Sequence, residues 1–250
     1  PDAATAAKEI SPSGFDLAVV PARSQEYEEA LKTSEFLVGF VDSLVDEELF
    51  KTGPNLKLIQ LLSAGYDRAD IEAARNAGVP IANNGGANSV AVSEHAVLLM
   101  LAVSRQLVRQ HTTVAAGNWR GNETPRVHEL RNKTLGIVGL GTIGKKTARL
   151  ASAFGMNIIY YDIARLAEHE EDAIGVRFRL LKELLRESDL ISLHTPLNSS
   201  THHLIGREEL SLMKESAILV NTARGPVIDE AALYDALVEG KILAAGQSLP

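Results

Sequence analysis

No cysteine occurs among the 250 residues of the chain, and its acidic, alanine-rich first residues lack the basic start and apolar centre of a secretory signal. Both observations set the cytoplasm as the expected compartment. Long apolar runs are missing as well. The longest, Ala96 to Val103, is eight residues bounded by His95 and Ser104, where a bilayer-spanning helix needs roughly 20, so no membrane partner is expected. Basic residues are in the minority: Lys and Arg number 25 against 32 Asp and Glu, for a net charge of -7. A broad phosphate-backbone footprint needs clustered cations, which argues against nucleic acid as a partner. The seven histidines show no metal-ligand spacing, and no short-period repeat or low-complexity segment interrupts the chain.

Apolar residues, at 45%, are numerous enough to build real cores. Short β-branched runs alternate with amphipathic stretches from one end to the other, the pattern of parallel sheets covered by helices, so the whole chain reads α/β. The runs 17–20, 36–41, 56–62 and 79–83 read as strands, and 26–33, 46–51 and 70–76 as helices. After Asn83-Asn84-Gly85-Gly86 a long helix is expected from Ser89 to about Ala115, with Val92, Ala96, Leu99 and Val103 on one face. The polar stretch Gly117 to Arg131, containing Trp119 and Pro125, reads as a connection. A second series follows, with strands at 135–139, 157–162, 176–178, 190–194, 217–221 and 242–246. Its helices fall at 142–154, 181–187, 207–214 and 230–239.

The second series opens on Gly139-Leu-Gly141-Thr-Ile-Gly144, between an apolar strand and a helix, and Asp162 ends the next strand eighteen residues later. Each part has a physical task. Gly139 permits a tight turn, Gly141 lets the backbone approach a pyrophosphate, and Gly144 allows helix and strand to pack closely. The N–H groups of the first helical turn, around Thr142 and Ile143, face the phosphates. Asp162 would bond the adenosine ribose hydroxyls and repel a 2′-phosphate, so NAD is the expected cofactor in preference to NADP. Arg165 is the nearby cation that could favour NADP; it is expected to be a solvated loop arginine.

These residues resemble the D-2-hydroxyacid dehydrogenase family, the group of phosphoglycerate, glycerate and formate dehydrogenases, over nearly the whole chain. Ser63-Ala-Gly-Tyr-Asp67 is similar to the family's substrate loop, and Asn84 to His95 resembles its entry into the interdomain helix. Gly136 to Gly144 resembles its NAD fingerprint. Ser192-Leu-His-Thr-Pro-Leu197 with Thr201 resembles the segment beside the adenine, and Asn221-Thr-Ala-Arg-Gly225 the loop with the substrate arginine. The resemblance implies two doubly wound parallel-sheet units. The first, residues 1–88, would be a flavodoxin-like substrate domain, 89–131 an interdomain helix and connection, and 132–250 a Rossmann NAD-binding domain whose C-terminal part is missing. It implies a small 2-hydroxy or 2-oxo acid as substrate, met by Ala64, Gly65 and Asn88, with Arg224 as catalytic residue in the cleft between the domains. Its fork would pair with the carboxylate and polarise the carbonyl. The cofactor would meet Val92, Gly139, Gly141, Thr142, Ile143, Gly144, Asp162, His194, Thr195, Pro196, Thr201, Thr222 and Ala223. The resemblance also implies a homodimer through the long helix and the segment after it.

The family's proton-exchanging histidine and its glutamate partner would fall beyond residue 250. Ser248 stands where relatives carry an aspartate at the nicotinamide amide. None of the seven histidines is expected to substitute. His203 belongs to a structural Thr-x-His-Leu-Ile-Gly stretch, His194 ends a strand on the adenine side, and His95 lies beside Glu94 in the interdomain helix. His111, His128, His169 and His202 have no motif around them. The expectation is therefore an NAD-dependent D-2-hydroxyacid oxidoreductase, impaired in this form, with uncovered apolar faces where relatives add a further strand and helix. The alternative is a non-catalytic NAD-binding or sensing module, as in the family's co-repressor relatives.

Overall fold

A computed structural model describes residues 3–119 and 127–248, and the chain divides into two compact units that meet between Gly85 and Gly86. In the first unit the described elements are α1 (Ala3–Ile10), α2 (Gln25–Leu31), β1 (Phe36–Gly39), α3 (Glu47–Thr52), β2 (Leu58–Leu61), α4 (Ile71–Ala77) and β3 (Ile81–Ala82). Side-chain caps start the helices: Ser24, Asp46 and Asp70 each accept a bond from the amide three residues on, at 2.9–3.1 Å. Left-handed Gly78, φ 71°, ends α4. The strands form a parallel sheet in the order β1-β2-β3, and Ile59 and Leu61 are fully buried beside Leu31, Val45 and Leu49.

The run 17–20, expected as a strand, joins no sheet among the described residues. Leu17 and Val19 remain 40% and 46% exposed. Apolar alternation specifies a strand only where an edge is there to receive it, and no described strand takes up this one. The helix α1 was not foreseen.

The second unit contains α5 (Ser89–Ser104), α6 (Leu107–Ala115), β4 (Thr134–Val138), α7 (Thr142–Ala153), β5 (Asn157–Tyr161), α8 (Glu168–Ile174), β6 (Val176–Phe178) and α9 (Leu181–Glu187). It continues with β7 (Leu190–Leu193), α10 (Arg207–Leu212), β8 (Ile218–Asn221), α11 (Glu230–Val238) and β9 (Ala244–Gln247). Its sheet is parallel throughout, in the order β6-β5-β4-β7-β8-β9. The chain therefore winds outward from β4 in one direction, returns, and winds from β7 in the other, which is the doubly wound arrangement. Two cores lie on opposite faces. Leu135, Ile137, Leu190 and Val220 meet Ala96, Met100, Ala148 and Ala151 of α5 and α7 on one side. On the other, Val138, Ile191, Leu193 and Leu219 meet Leu184, Leu210 and Leu233 of α9, α10 and α11.

The single long helix expected over 89–115 is two helices, bent by 63°. The break falls at Gln106, whose left-handed backbone (φ 50°, ψ 45°) interrupts the ladder. The core-facing side of α5 holds the expected Ala96, Leu99 and Val103, and the fully buried stripe is broader than that face. It runs through Ser89, Ser93, Ala96, Val97, Met100 and Ser104, small residues that let the helix lie close on β8 and β9. A side chain at Gly246 would put its Cβ 3.3 Å from Leu99. The helix α8, which the sequence reading passed over, is too acidic to display an apolar period, yet it buries Glu171. In the expected connection Trp119 is 80% exposed, while Pro125 lies outside the described residues. Among the described residues no single helix is long and apolar enough to cross a membrane.

Candidate functional site

The point where the strand order reverses, between β4 and β7, leaves a crevice above their C-terminal ends, the usual ligand position in an open α/β sheet. Four loops converge there: those after β4, β5, β7 and β8. The strand ends are tied together by main-chain bonds, Gly139 N–H to Tyr161 O and His194 N–H to Val138 O, both 2.8 Å.

The loop after β4 carries the fingerprint. Gly139 has φ 92°, and a Cβ there would stand 2.9 Å from the His194 carbonyl. Gly144 is more constrained, since its Cβ would lie 2.2 Å from the Gly139 oxygen. Around Gly141, by contrast, a Cβ would meet nothing within 4 Å, which is the open approach a pyrophosphate needs. Gly141 is the N-cap of α7 and offers no side-chain cap, so the first-turn N–H groups at Thr142 and Ile143 lack intrahelical acceptors and face solvent at the positive end of the helix dipole. The start of α5 is close by: a Cβ on Gly86 would lie 3.8 Å from Thr142 Cγ2. Exposed Asn88 and partly buried Val92 follow it, joined by Val92 N–H to Asn88 O at 2.9 Å.

Asp162, directly after β5, braces the fingerprint. Its Oδ2 accepts from Leu140 N–H at 2.7 Å and its Oδ1 from Ala164 N–H at 3.0 Å. Arg165 is the expected solvated loop arginine, 62% exposed, and it also has partners: its Nε lies 3.3 Å from buried Glu171, and its guanidinium sits 5.1 Å from the Phe178 ring centre.

After β7, His194 lies between its own strand and the loop after β8. Its Nε2 is 2.9 Å from buried Ser192 Oγ, and its Nδ1 is 3.5 Å from Thr222 Oγ1, two residues before Arg224. Burial pushes the imidazole down from 6.5 to about 4, so the ring is neutral at pH 7. Thr195 Oγ1 is buried without a hydrogen-bond partner among the described residues. Pro196 is exposed. Thr201 closes its own loop, donating to Pro196 O at 2.6 Å and accepting from Asn198 N–H at 2.9 Å.

Arg224 is exposed at the mouth of the loop after β8, with Nη1 donating to Ala223 O at 2.8 Å. The loop is shaped by Asn221, a residue absent from the expected site. Its Nδ2 donates to Arg224 O at 2.9 Å and its Oδ1 accepts from Ala223 N–H at 3.0 Å, while its own carbonyl accepts from Ser248 N–H. The quoted Asn-Thr-Ala-Arg-Gly run contained the signal, an Asn two and three residues before the groups it binds.

In the first unit, the Ser63–Asp67 loop is a turn whose carbonyls are occupied. Ser63 Oγ donates to Gly65 O, Asn83 Nδ2 to Ala64 O, and Asn84 N–H to Ser63 O, at 2.7–3.0 Å. The Ala64 and Gly65 amides make no internal hydrogen bond among the described residues, as suits donors for a carboxylate. Arg68 anchors the loop's end through two bonds to Asp42 at 2.9 and 3.0 Å, and these hold the Asp42 carboxyl below the usual carboxylate range. Among the described residues no cluster of side chains is suited to a metal ion.

A doubly wound sheet, a glycine cradle, an open helix N-terminus and an acid after the second strand define a Rossmann dinucleotide-binding unit. The family model for the D-isomer specific 2-hydroxyacid dehydrogenase NAD binding domain matches residues 97–247, and the chain belongs to that family. A glyoxylate reductase of Thermococcus litoralis is 44% identical over 224 residues, 87% of this chain and 67% of the relative. The D-lactate dehydrogenase of Aquifex aeolicus, solved with NAD and lactic acid, superposes with a TM-score of 0.81 at 35% identity, covering 94% of this chain and 68% of that one. An acyclic imino acid reductase solved with NADPH and D-Arg gives 0.80 at 30% identity, covering 90% and 71%. The chain spans about two thirds of the length of the curated relatives it matches. NAD is the cofactor of the domain it carries.

Proposed function

We propose that the protein reduces small 2-oxo acids to D-2-hydroxy acids, or runs the reverse reaction, with NAD(H). The observation that carries this reading is the placement of Arg224, braced by Asn221, in the loop after β8, which Thr222 and His194 link to the fingerprint crevice. Bound NADH supplies the hydride. The fingerprint amides and α7 hold the pyrophosphate, and Asp162 faces the adenosine ribose. The Arg224 fork pairs with the substrate carboxylate and draws charge onto the carbonyl oxygen as hydride reaches the carbon. Reduction also takes up one proton at that oxygen, which solvent supplies, because the His194 imidazole is neutral at pH 7.

Glyoxylate, hydroxypyruvate and pyruvate are the acids to test, following NADH consumption and the binding of each acid to the NADH complex. Arg224→Ala should lower turnover by about 10²–10³ and leave the NADH Kd unchanged. NADH binding with neither reduction nor binding of any of the three acids would refute the proposal.

The chain is further read as forming a homodimer through α5, α6 and the segment after them. Supporting this are Val90, Leu98, Leu107 and Val108, each at least half exposed on these two helices, apolar side chains that a partner would cover. Monomeric elution of folded protein at micromolar concentration would count against it.

A further inference from the structure

The cofactor question turns on Arg165, the one Lys or Arg in the segment 162–170 that follows β5. A 2′-phosphate on the adenosine ribose is an anion that needs a cation in this loop, and an arginine near the end of the second strand is the usual one. Asp162 bonds Ala164 N–H, so the chain turns directly after the acid, and Arg165 follows three residues beyond it.

One edge of the guanidinium is engaged elsewhere, through Nε, while the side chain as a whole stays 62% exposed. Glu171 is 3% exposed, and its carboxylate takes a hydrogen bond from the Tyr160 hydroxyl at 3.0 Å and another from Arg165 Nε at 3.3 Å. The Tyr160 hydroxyl is itself fixed by Leu166 N–H at 2.9 Å. Phe178 packs edge-on against Tyr160 and lies under the guanidinium. A buried carboxylate stripped of its counter-charge is strongly destabilising. Arg165 therefore cannot swing to a phosphate without stranding Glu171.

We propose that Glu171 is a positioning residue for cofactor choice: by tethering Arg165 against Phe178 it withholds the one cation that could accept a 2′-phosphate, so that selection of NAD over NADP rests on Glu171 as well as Asp162. The inference rests on the reading of the fingerprint as a dinucleotide site and adds a second residue to its selectivity.

The test is fluorescence titration of the full chain with NADH and with NADPH, reading the ratio of the two Kd values. In an Asp162→Ser background, Glu171→Gln keeps the shape and the Tyr160 acceptor but frees Arg165. It should shift the ratio toward NADPH by about tenfold, the worth of one charge-assisted bond. Adding Arg165→Ala should return the ratio to that of Asp162→Ser alone, which separates a freed arginine from mere loss of a distant negative charge. In the otherwise unchanged protein, Arg165→Ala should leave the ratio within about twofold.

An unshifted ratio in the folded double variant, or a gain that survives Arg165→Ala, overturns the proposal. Should Glu171→Gln fail to fold, Arg165→Gln, which can still donate to Glu171 but offers a phosphate no charge, decides: a selective loss of NADPH affinity would mean that the arginine already serves the phosphate. No NADH binding by the unmodified chain overturns the dinucleotide reading, and the inference with it.

Discussion

Acid should weaken the second unit through one side chain. His194 bridges the ends of β7 and β8, from Ser192 Oγ to Thr222 Oγ1, with its imidazole pushed from 6.5 down to about 4 by burial. Between those two values the unfolded chain binds a proton that the folded chain refuses. The stability contributed by the neutral ring is thus fully present above pH 6.5 and is lost as pH falls through about 4. The gap corresponds to about 3 kcal/mol, an upper bound because the residue keeps some solvent exposure. Urea denaturation between about pH 7 and pH 4.5 measures it, comparing the unmodified protein with His194→Asn, which keeps a hydrogen-bonding side chain but cannot charge. The unmodified protein should lose about 2 kcal/mol more than the variant across that window, because the other titrating groups are common to both. Parallel stability curves would refute the reasoning and show that the ring is as well solvated folded as unfolded. His194→Gln gives the same comparison if the asparagine variant does not fold.

Two further substitutions probe the crevice. Gly144→Ala forces a Cβ to within 2.2 Å of the Gly139 oxygen; it should cost about 3 kcal/mol in thermal or urea unfolding and weaken NADH binding by more than about tenfold, and unchanged affinity would mean that the turn is not what holds the nucleotide. Asn221→Ala removes both bonds that shape the Arg224 loop, so kcat with a 2-oxo acid should fall by about tenfold while the NADH Kd stays within about threefold; equal losses in both would move its role to the nucleotide.

Most of the second unit was legible because its signals are local. A β-branched run, a glycine at each point of positive φ or close approach, and a helix opening directly afterward lie within ten consecutive residues, and backbone sterics alone tie that order to that shape. The same locality explains the errors. The stripe of α5 was drawn too narrow because hydrophobic periodicity overlooks serine, although Ser89, Ser93 and Ser104 are buried in it. The break at Gln106 carries neither Gly nor Pro, so nothing in the sequence marks it. The helix α8 offered charge where a period was sought.

What escaped at the site is of another kind. His194 and Thr222 are 28 residues apart, and they meet because β7 and β8 are neighbours in register, Leu193 opposite Asn221. Arg165 and Glu171 are six apart but not at helical spacing, and they meet because α8 begins directly after the Arg165 loop and packs beside β6 and α7. Chemistry carried by consecutive backbone groups can be read along the chain. Chemistry carried by side chains that different elements bring together follows the fold, so the motif led to the nucleotide, to Asp162 and to Arg165 while leaving the Glu171 partner of that arginine unseen.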